Sequence, residues 1–582
     1  MKGFDVLKIK SAVKTHNKFD LSKSHLTTMD FGEIVPLYVE ETIPGDKFSI
    51  DGEYFSRMAP LAKPTYGKFS FKTVSAFVPY HQIAVDADAW FAGKTTWEGV
   101  TPVQRWISVM DLTEFILNFC VTGTGATATN TQVTYVDSNG TTQYRIFTPA
   151  GKYYVKILNA LGYTIPQGIN YQTTSNWWTY RGTKLSAYPL LGFFKIYNDY
   201  MSQSQRYNSS YLTYILRCIK YNIAIGSEYA TTGEIYATGI NHMFSELFLN
   251  YENDYFTSAW QTANNAISSV ENMTVANIPG HTNVVTDTTD DNSLVVGVQA
   301  SSVVIGQRML DFLKDFDDWV RRNNYSGSRA VQQIYSRFGI KTDDYKSHYA
   351  QVITTDEQPI QVGDITSTAY DSSDAGLGSY AGKGIVNCGK NVSVQVSDYG
   401  VIIILGYFTV TPMNSFGYDK RVLRNSPLDY YNPEFDGMGA DAISVGEVWA
   451  SPIDSTNPTV NDINIFGFTE RYNAYRYGRD VISGEFRDYR ANGDMNVWHS
   501  GRNLATLRSN NQLIAQSSAM NTLPQTNSEY NRIFSYVGAN YNHFYLTCRF
   551  KVSAIRPMLN LNQVPRLGEG DTTVPRNGNV IS

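Results

Sequence analysis

Cysteine is nearly missing from this chain: Cys120, Cys218, Cys388 and Cys548 are the only four, far apart and without CxxC spacing. That excludes a zinc knuckle or disulfide framework read from spacing. It fits assembly in a reducing cytoplasm, with each thiol a small buried hydrophobe. Histidine is sparse as well, with eight residues, no HxH and no HExxH, so metal-ligand spacing is lacking. Neither G-x-S-x-G nor GxxxxGK[ST] occurs, which removes the nucleophile elbow and the phosphate loop. The acidic run from Asp287 fails as a calcium loop, because Asn292 falls where Gly is needed and Val298 where a bidentate Glu is needed. Asp315, Asp317 and Asp318 read as a solvated helix face, and nothing marks the two facing carboxylates of a glycosidase. No cofactor is expected, and no enzymatic activity. The N-terminus has no apolar h-region, and no run of about 18 apolar residues occurs, so neither a signal peptide nor membrane insertion is expected. Charge is scarce at 17%, against about 25% in average soluble proteins. The net charge of -5 argues against a chain that condenses nucleic acid along its whole length.

What is present is aromatic: 41 Tyr and 29 Phe bring aromatics to 14% of 582 residues. Such a composition suits a surface covered by partners, and equally a secreted glycan-binding β-protein. Strand signals sit at both ends. Phe48, Ile50, Gly52 and Tyr54 alternate with polar residues after the Pro44-Gly45-Asp46 turn, and Gly67–Pro79 continues with Phe69, Phe71 and Phe77. Near the C-terminus Phe544, Leu546, Cys548, Phe550, Val552 and Ala554 point one way, with polar residues between them. Val401–Val410 is apolar on both faces and reads as a central strand covered on both sides. Helical spacing marks Met309–Val320, Val331–Phe338 and, more loosely, Thr101–Phe119, while Leu190–Met201 fits strand or helix. Val121–Thr142, Gln261–Ala300 and Ser367–Gly384 read as loops. Strands at both termini with helices between them predict one antiparallel sandwich whose first and last strands meet.

One short segment, Phe466–Arg487, gathers Arg471, Tyr472, Tyr475, Arg476, Tyr477, Arg479 and Arg487. Tyr and Arg are enriched at the centres of protein interfaces, although an ordinary half-exposed strand has the same composition. The order F-G-F-x-E-R-Y-x-x-Y-R-Y, then I-x-G-E-F-R, resembles the major capsid proteins of microviruses, in the gokushovirus-like branch. Five further blocks resemble that family in collinear order. They are Phe19–Pro36, including Ser24-His25; Pro44–Pro60; Asp254-Tyr255-Phe256-Thr257-Ser258-Ala259-Trp260; Gln307–Gly339; and Tyr380–Gly384. His25 itself reads as a turn histidine or as a pH-sensitive group.

The resemblance implies an all-β core: an eight-stranded antiparallel viral jelly-roll sandwich with large helix- and loop-containing insertions. It implies a coat protein that self-assembles into a small T=1-type icosahedral shell around circular single-stranded DNA. Other implied partners are a small basic DNA-binding protein, a pilot or minor protein and a host receptor, with assembly in the bacterial cytoplasm. The chain divides into a basic arm (1–18), a capsid domain (19–557) and an extended tail (558–582). Insertions fall near 101–260, 261–300, 301–340 and 367–384. Lys2, Lys8, Lys10, Lys14 and Lys18 make the arm a candidate DNA contact, with a solubilising terminus the plainer reading. Gly280, His281, Asp287, Asp290 and Asp291 mark a candidate host-facing loop. The Pro-rich continuation usual after the D-Y-F-T-S-A block is missing and the loop is short, which leaves a threefold protrusion open. The rival expectation is a secreted Tyr/Asn-rich β-sandwich that binds or hydrolyses glycans.

Overall fold

A computed structural model of the chain describes residues 16–96, 99, 101–123, 133–136, 142–164, 183–202, 211–252, 254–259, 285–286, 296–297, 348–363, 383–415, 417–437, 440–448, 450, 465–487, 494–502, 508–509, 512–513, 530–536 and 542–558. The strands that carry the fold begin with β1 (Asn17–Asp20), β2 (Lys23–Met29), β3 (Ile34–Thr42), β4 (Lys47–Met58) and β5 (Lys68–Pro79). After a helical excursion come β6 (Gln351–Pro359), β7 (Gln361–Gly363), β8 (Lys383–Gln395) and β9 (Gly400–Thr411). The chain then forms β10 (Ala440–Ser444), β11 (Ile465–Glu470) and β12 (Phe544–Arg556).

Apart from β10 and β11, which pair separately, ten of these strands form two antiparallel sheets. In the first, β1 and β2 lie end to end on β12, which pairs with β4, then β8, then β7. In the second the order is β6, β5, β9, β3. The first and last strands therefore meet, as the alternation at both ends predicts. Period-two patterning explains the packing: in β4, and in β12 as far as Ala554, the even-numbered residues are buried and the odd ones face outward. Inner rings meet across the sandwich, with Phe408 stacked on Phe544 at 4.0 Å and Tyr38 against Phe550 at 5.0 Å. Each such fully buried side chain contributes about 1.5–3 kcal/mol. The β3–β4 corner needs Gly45, whose φ of +95° is a left-handed value, and Asp46 closes it by accepting the Ile43 N–H at 2.9 Å.

The excursion between β5 and β6 covers the outer face of the second sheet. Its helices are α1 (Val109–Phe115), α2 (Pro149–Ala160), α3 (Tyr188–Ile196), α4 (Tyr211–Lys220) and α5 (Ala237–Ser245). Thr148 caps α2 by accepting the Gly151 N–H at 2.9 Å, with Pro149 at the first helical position. Tyr153 then fastens the helix to edge strand β3, accepting the Ile34 N–H at 2.8 Å and donating to its carbonyl at 3.1 Å. Helix α3 lies so close to β9 that a Cβ on Gly192 would come within 2.8 Å of Val401. Residues 401–410 are therefore apolar on both faces because the sandwich core lies on one side and helices on the other.

Several expectations are corrected. Thr101–Phe119 is not one helix: Trp106–Ser108 pairs as a strand with Lys184–Ser186 before α1 begins. Buried Arg105 holds that backbone by pairing with Asp86 at 2.8 Å and donating to the Ile219 carbonyl. Leu190–Met201 resolves as helix running into a wider π-type turn, Tyr197–Met201. The loop expected over Val121–Thr142 contains Val121–Thr122 and Val133–Val136, both paired with Thr142–Phe147. His25 sits in β2 rather than in a turn, its ring Nδ1 3.0 Å from the Leu37 carbonyl. Met309–Val320, Val331–Phe338, residues 367–382 and the tail beyond 558 lie outside the described residues.

Candidate assembly surface

The Tyr/Arg segment folds around a small core of its own. Strands β10 and β11 pair antiparallel, with Ala440 opposite Glu470, and a helical turn, Val445–Val448, follows β10. Ile443, Val445, Val448 and Phe466 pack with Tyr255, Phe256 and Ala259, and Tyr477 closes the rim. Glu447 is buried beside them and is fully satisfied. It accepts from the Ser444 N–H at 3.0 Å, from Lys420 Nζ at 3.1 Å and from the Tyr255 hydroxyl at 3.2 Å. Burial pushes the Tyr255 phenol well up, and the neighbouring Glu447 and Asp441 carboxylates add to the shift, so it stays a donor.

Asp254 is the hub that joins this subdomain to the sandwich. Its Oδ1 accepts from the N–H groups of Phe256 at 2.9 Å and Thr257 at 2.7 Å. Its Oδ2 accepts from Asn414 Nδ2 at 3.0 Å and from Arg502 at 2.8 Å. Arg502 is almost fully buried, with its guanidinium over the Tyr251 ring at 4.9 Å. Two of the blocks that resemble the capsid family thus dock on each other, since Tyr255 stacks flat on Tyr477 at 4.9 Å.

The singled-out residues lie in one subdomain, and most of their polar ends find partners within the subunit. Arg471 lies over the rings of Phe435 at 4.9 Å and Tyr472 at 5.2 Å. Tyr472 is buried and left-handed at φ +61°, a conformation costing a non-glycine residue about 1 kcal/mol or more. Its hydroxyl accepts the Asn432 N–H at 3.3 Å, which ties the loop after β9 to the segment. Arg476 pairs with Asp436 at 3.0 Å and Glu470 at 3.3 Å, and Arg479 donates to the carbonyls of Gly417 and Tyr418. Arg487 ends a 3-10 turn by donating its N–H to Gly484 at 3.1 Å. What remains outward is a ledge of Tyr475, Tyr430, Tyr431, Leu428 and Val422, each at least 48% exposed, with Arg424 stacked over Tyr475 at 4.0 Å.

Of the candidate DNA-facing residues, Lys18 is exposed on β1 opposite Ile555, so regular structure begins inside the expected arm. Lys2, Lys8, Lys10 and Lys14 lie outside the described residues, as do Gly280, His281, Asp287, Asp290 and Asp291. Beside that loop only a short backbone pairing, Val285–Thr286 with Val296–Gly297, is described. Asp254, Asn414, Glu447 and Arg502 were not legible as a group. Asp254 meets Asn414 across 160 positions and Arg502 across 248, and no local pattern links such distant polar residues. Among the described residues no cluster of three or more His, Cys, Asp or Glu could hold a metal ion, and no helix is long and apolar enough to cross a membrane.

The model of the family described as capsid protein (F protein) matches residues 7–101 and 293–566. The chain belongs to that family. It is 22% identical over 559 residues to the capsid protein VP1 of Chlamydia phage 1, covering 88% of this chain and 90% of that one. It is also 24% identical over 176 residues to the capsid protein VP1 of Bdellovibrio phage phiMH2K, covering 30% and 32%. The resemblance to microvirus capsid proteins holds, and the chain is a structural protein of the virion rather than an enzyme. The matched stretches contain every strand from β1 to β12, and the Tyr/Arg segment falls in the second. Between them, residues 102–292 carry α1–α5 and the Asp254 turn.

Proposed function

We propose that this chain is the major coat protein of a tail-less phage, closing as a T=1-type icosahedral shell around circular single-stranded DNA. The observation that carries the proposal is the collinear similarity of nearly the whole chain to capsid protein VP1 of Chlamydia phage 1. Strand order supports reading the sandwich as the eight-stranded jelly roll. One sheet contains the run β2–β12–β4–β8 and the other is β3–β9–β5–β6, with consecutive strands alternating between sheets through β2–β3 and β4–β5. Assembly takes place in the host cytoplasm. Its mechanism is association: identical subunits make heterologous contacts around fivefold and threefold axes and isologous ones across twofolds. Interfaces of about 1,600 Å² can each be weak, yet many of them in a closed shell make disassembly slow. The Tyr475 ledge is one such contact, the lysine arm faces DNA, and the loop around Gly280–Asp291 faces the host. A small basic protein and a pilot protein complete the particle.

Expression of the chain followed by negative-stain imaging tests this. Isometric particles are the expected result, with or without co-expressed virion proteins. A monodisperse monomer that binds oligosaccharides would replace it with the glycan-binding reading.

A further inference from the structure

The two sheets are finished differently. Among the described residues, helices cover the outer face of the second, whereas no helix covers the outer face of the first, with Leu26 81% and Tyr545 51% exposed. Strict alternation puts every outward residue of β12 and β4 in register on that face. Tyr545 lies opposite Arg57, Thr547 opposite Phe55, Arg549 opposite Glu53, and Ile555 opposite Lys47. On the other side of β12, Leu26 neighbours Thr547, and Lys18 neighbours Ile555.

The charge of this face departs from that of the chain. Lys18, Lys47, Arg57, Arg549 and Lys551 face Asp20, Asp51 and Glu53. Of the carboxylates, Glu53 is engaged by Lys551 at 2.9 Å and Asp20 accepts the Ser22 N–H at 3.0 Å. Lys18, Lys47, Arg57 and Arg549 have no ion pair among the described residues, and the Arg57 guanidinium lies over the Phe55 ring at 5.4 Å. The face is thus locally cationic on a protein of net charge -5.

We propose that this sheet face binds single-stranded DNA, with Tyr545 and Phe55 stacking bases and Arg57, Arg549 and Lys47 meeting phosphates. A flat sheet with aromatic side chains set among Arg and Lys is the platform on which unpaired bases stack while the backbone is neutralised. It presents no helix or ribbon to enter a duplex groove. Its lysines disfavour a protein partner, because Lys is depleted at the centres of protein interfaces. In sequence, Lys2, Lys8, Lys10 and Lys14 precede β1, whose Lys18 lies beside Ile555 at this corner of the sheet. Naming the ligand DNA rests on the coat-protein reading; the stacking and phosphate chemistry does not.

The test is fluorescence anisotropy of the full chain with labelled oligothymidine of about 16 nucleotides, read at about 50 and about 200 mM salt. The double variant Arg57→Gln/Arg549→Gln is expected to bind about tenfold more weakly at low salt and to flatten the log–log salt slope by about 1.4, two phosphates' worth. Tyr545→Ala is expected to weaken binding about tenfold with the slope unchanged. Arg421→Gln, an exposed cation elsewhere, should change nothing. Unaltered binding by the sheet variants overturns the proposal, as does duplex of equal length binding as tightly as the single strand. Variants that bind normally but fail to form particles would make the face a contact between copies, which also overturns it. Wild-type particles without oligonucleotide binding would remove this proposal alone, and binding without particles would remove the coat-protein reading alone.

Discussion

Asp254 shows how one carboxylate can hold two parts of the molecule together. Asp254→Ala leaves Arg502 buried without its counter-charge, which costs about 3–5 kcal/mol, and it also frees the Phe256 and Thr257 N–H groups. The thermal midpoint of the chain is expected to drop sharply, with Asp254→Asn intermediate because the amide oxygen still caps the turn. Equal stability of all three proteins would exclude the hub role. His543 is a second such residue, stacked on Phe534 at 4.3 Å and 2.7 Å from Asp30 where the first strands meet the last. Burial pushes its imidazole down, but the hydrogen bonds to Asp30 and the Tyr536 carbonyl, with the Asp30 charge, outweigh that and raise it above the usual 6.5. A raised folded value means the stabilisation is fully present below about pH 6.5 and is lost as pH rises through the folded value. The gap in thermal midpoint between wild type and His543→Gln should therefore narrow as pH rises above about 6.5. A constant gap would show that the pair does not titrate in this range.

At the level of elements, β12 separates buried from solvated chemistry one residue apart. Phe550 is buried against Tyr38 and Tyr54, so Phe550→Asp places an unpaired carboxylate in the core at a cost of several kcal/mol. Lys551 projects from the opposite face towards Glu53, and Lys551→Asp should leave the subunit soluble. Comparing soluble yields checks this, and equal yields would contradict the sheet assignment. The pattern was readable because alternation is a local consequence of the pleat. The cover over β9 was only half readable: apolar residues on both faces announce burial, but nothing in residues 401–410 says that α3 supplies it.

For the whole molecule, the described helices of the excursion are built on one sheet and none of them covers the other, which gives the described subunit two chemically unlike sides. The proposed host contact is assigned to the loop around Gly280–Asp291. Replacing residues 280–296 by a short Gly/Ser linker is expected to leave particle formation intact while adsorption to host cells falls, since loop length changes cost little fold stability. Normal adsorption would take the loop out of receptor binding, and loss of particles would place it between subunits.

Taken alone, the sequence determined four of the sandwich strands (β4, β5, β9 and β12), the meeting of the first with the last, the central place of 401–410, and the capsid family through six collinear blocks; β3, β6, β7 and β8 were not read from it. The features it determined are local or ordered along the chain, because side-chain alternation repeats every two residues and motif order survives divergence. Tertiary structure alone decided the rest. It resolved Leu190–Met201 as helix and π-type turn, engaged the Arg groups of 471–479 with partners of the same subunit, and brought Asp254 to Arg502 across 248 positions. The reason is that the partner of a buried charge is chosen by packing in three dimensions. A Tyr/Arg run composed like an interface can therefore spend most of its polar groups inside its own subunit.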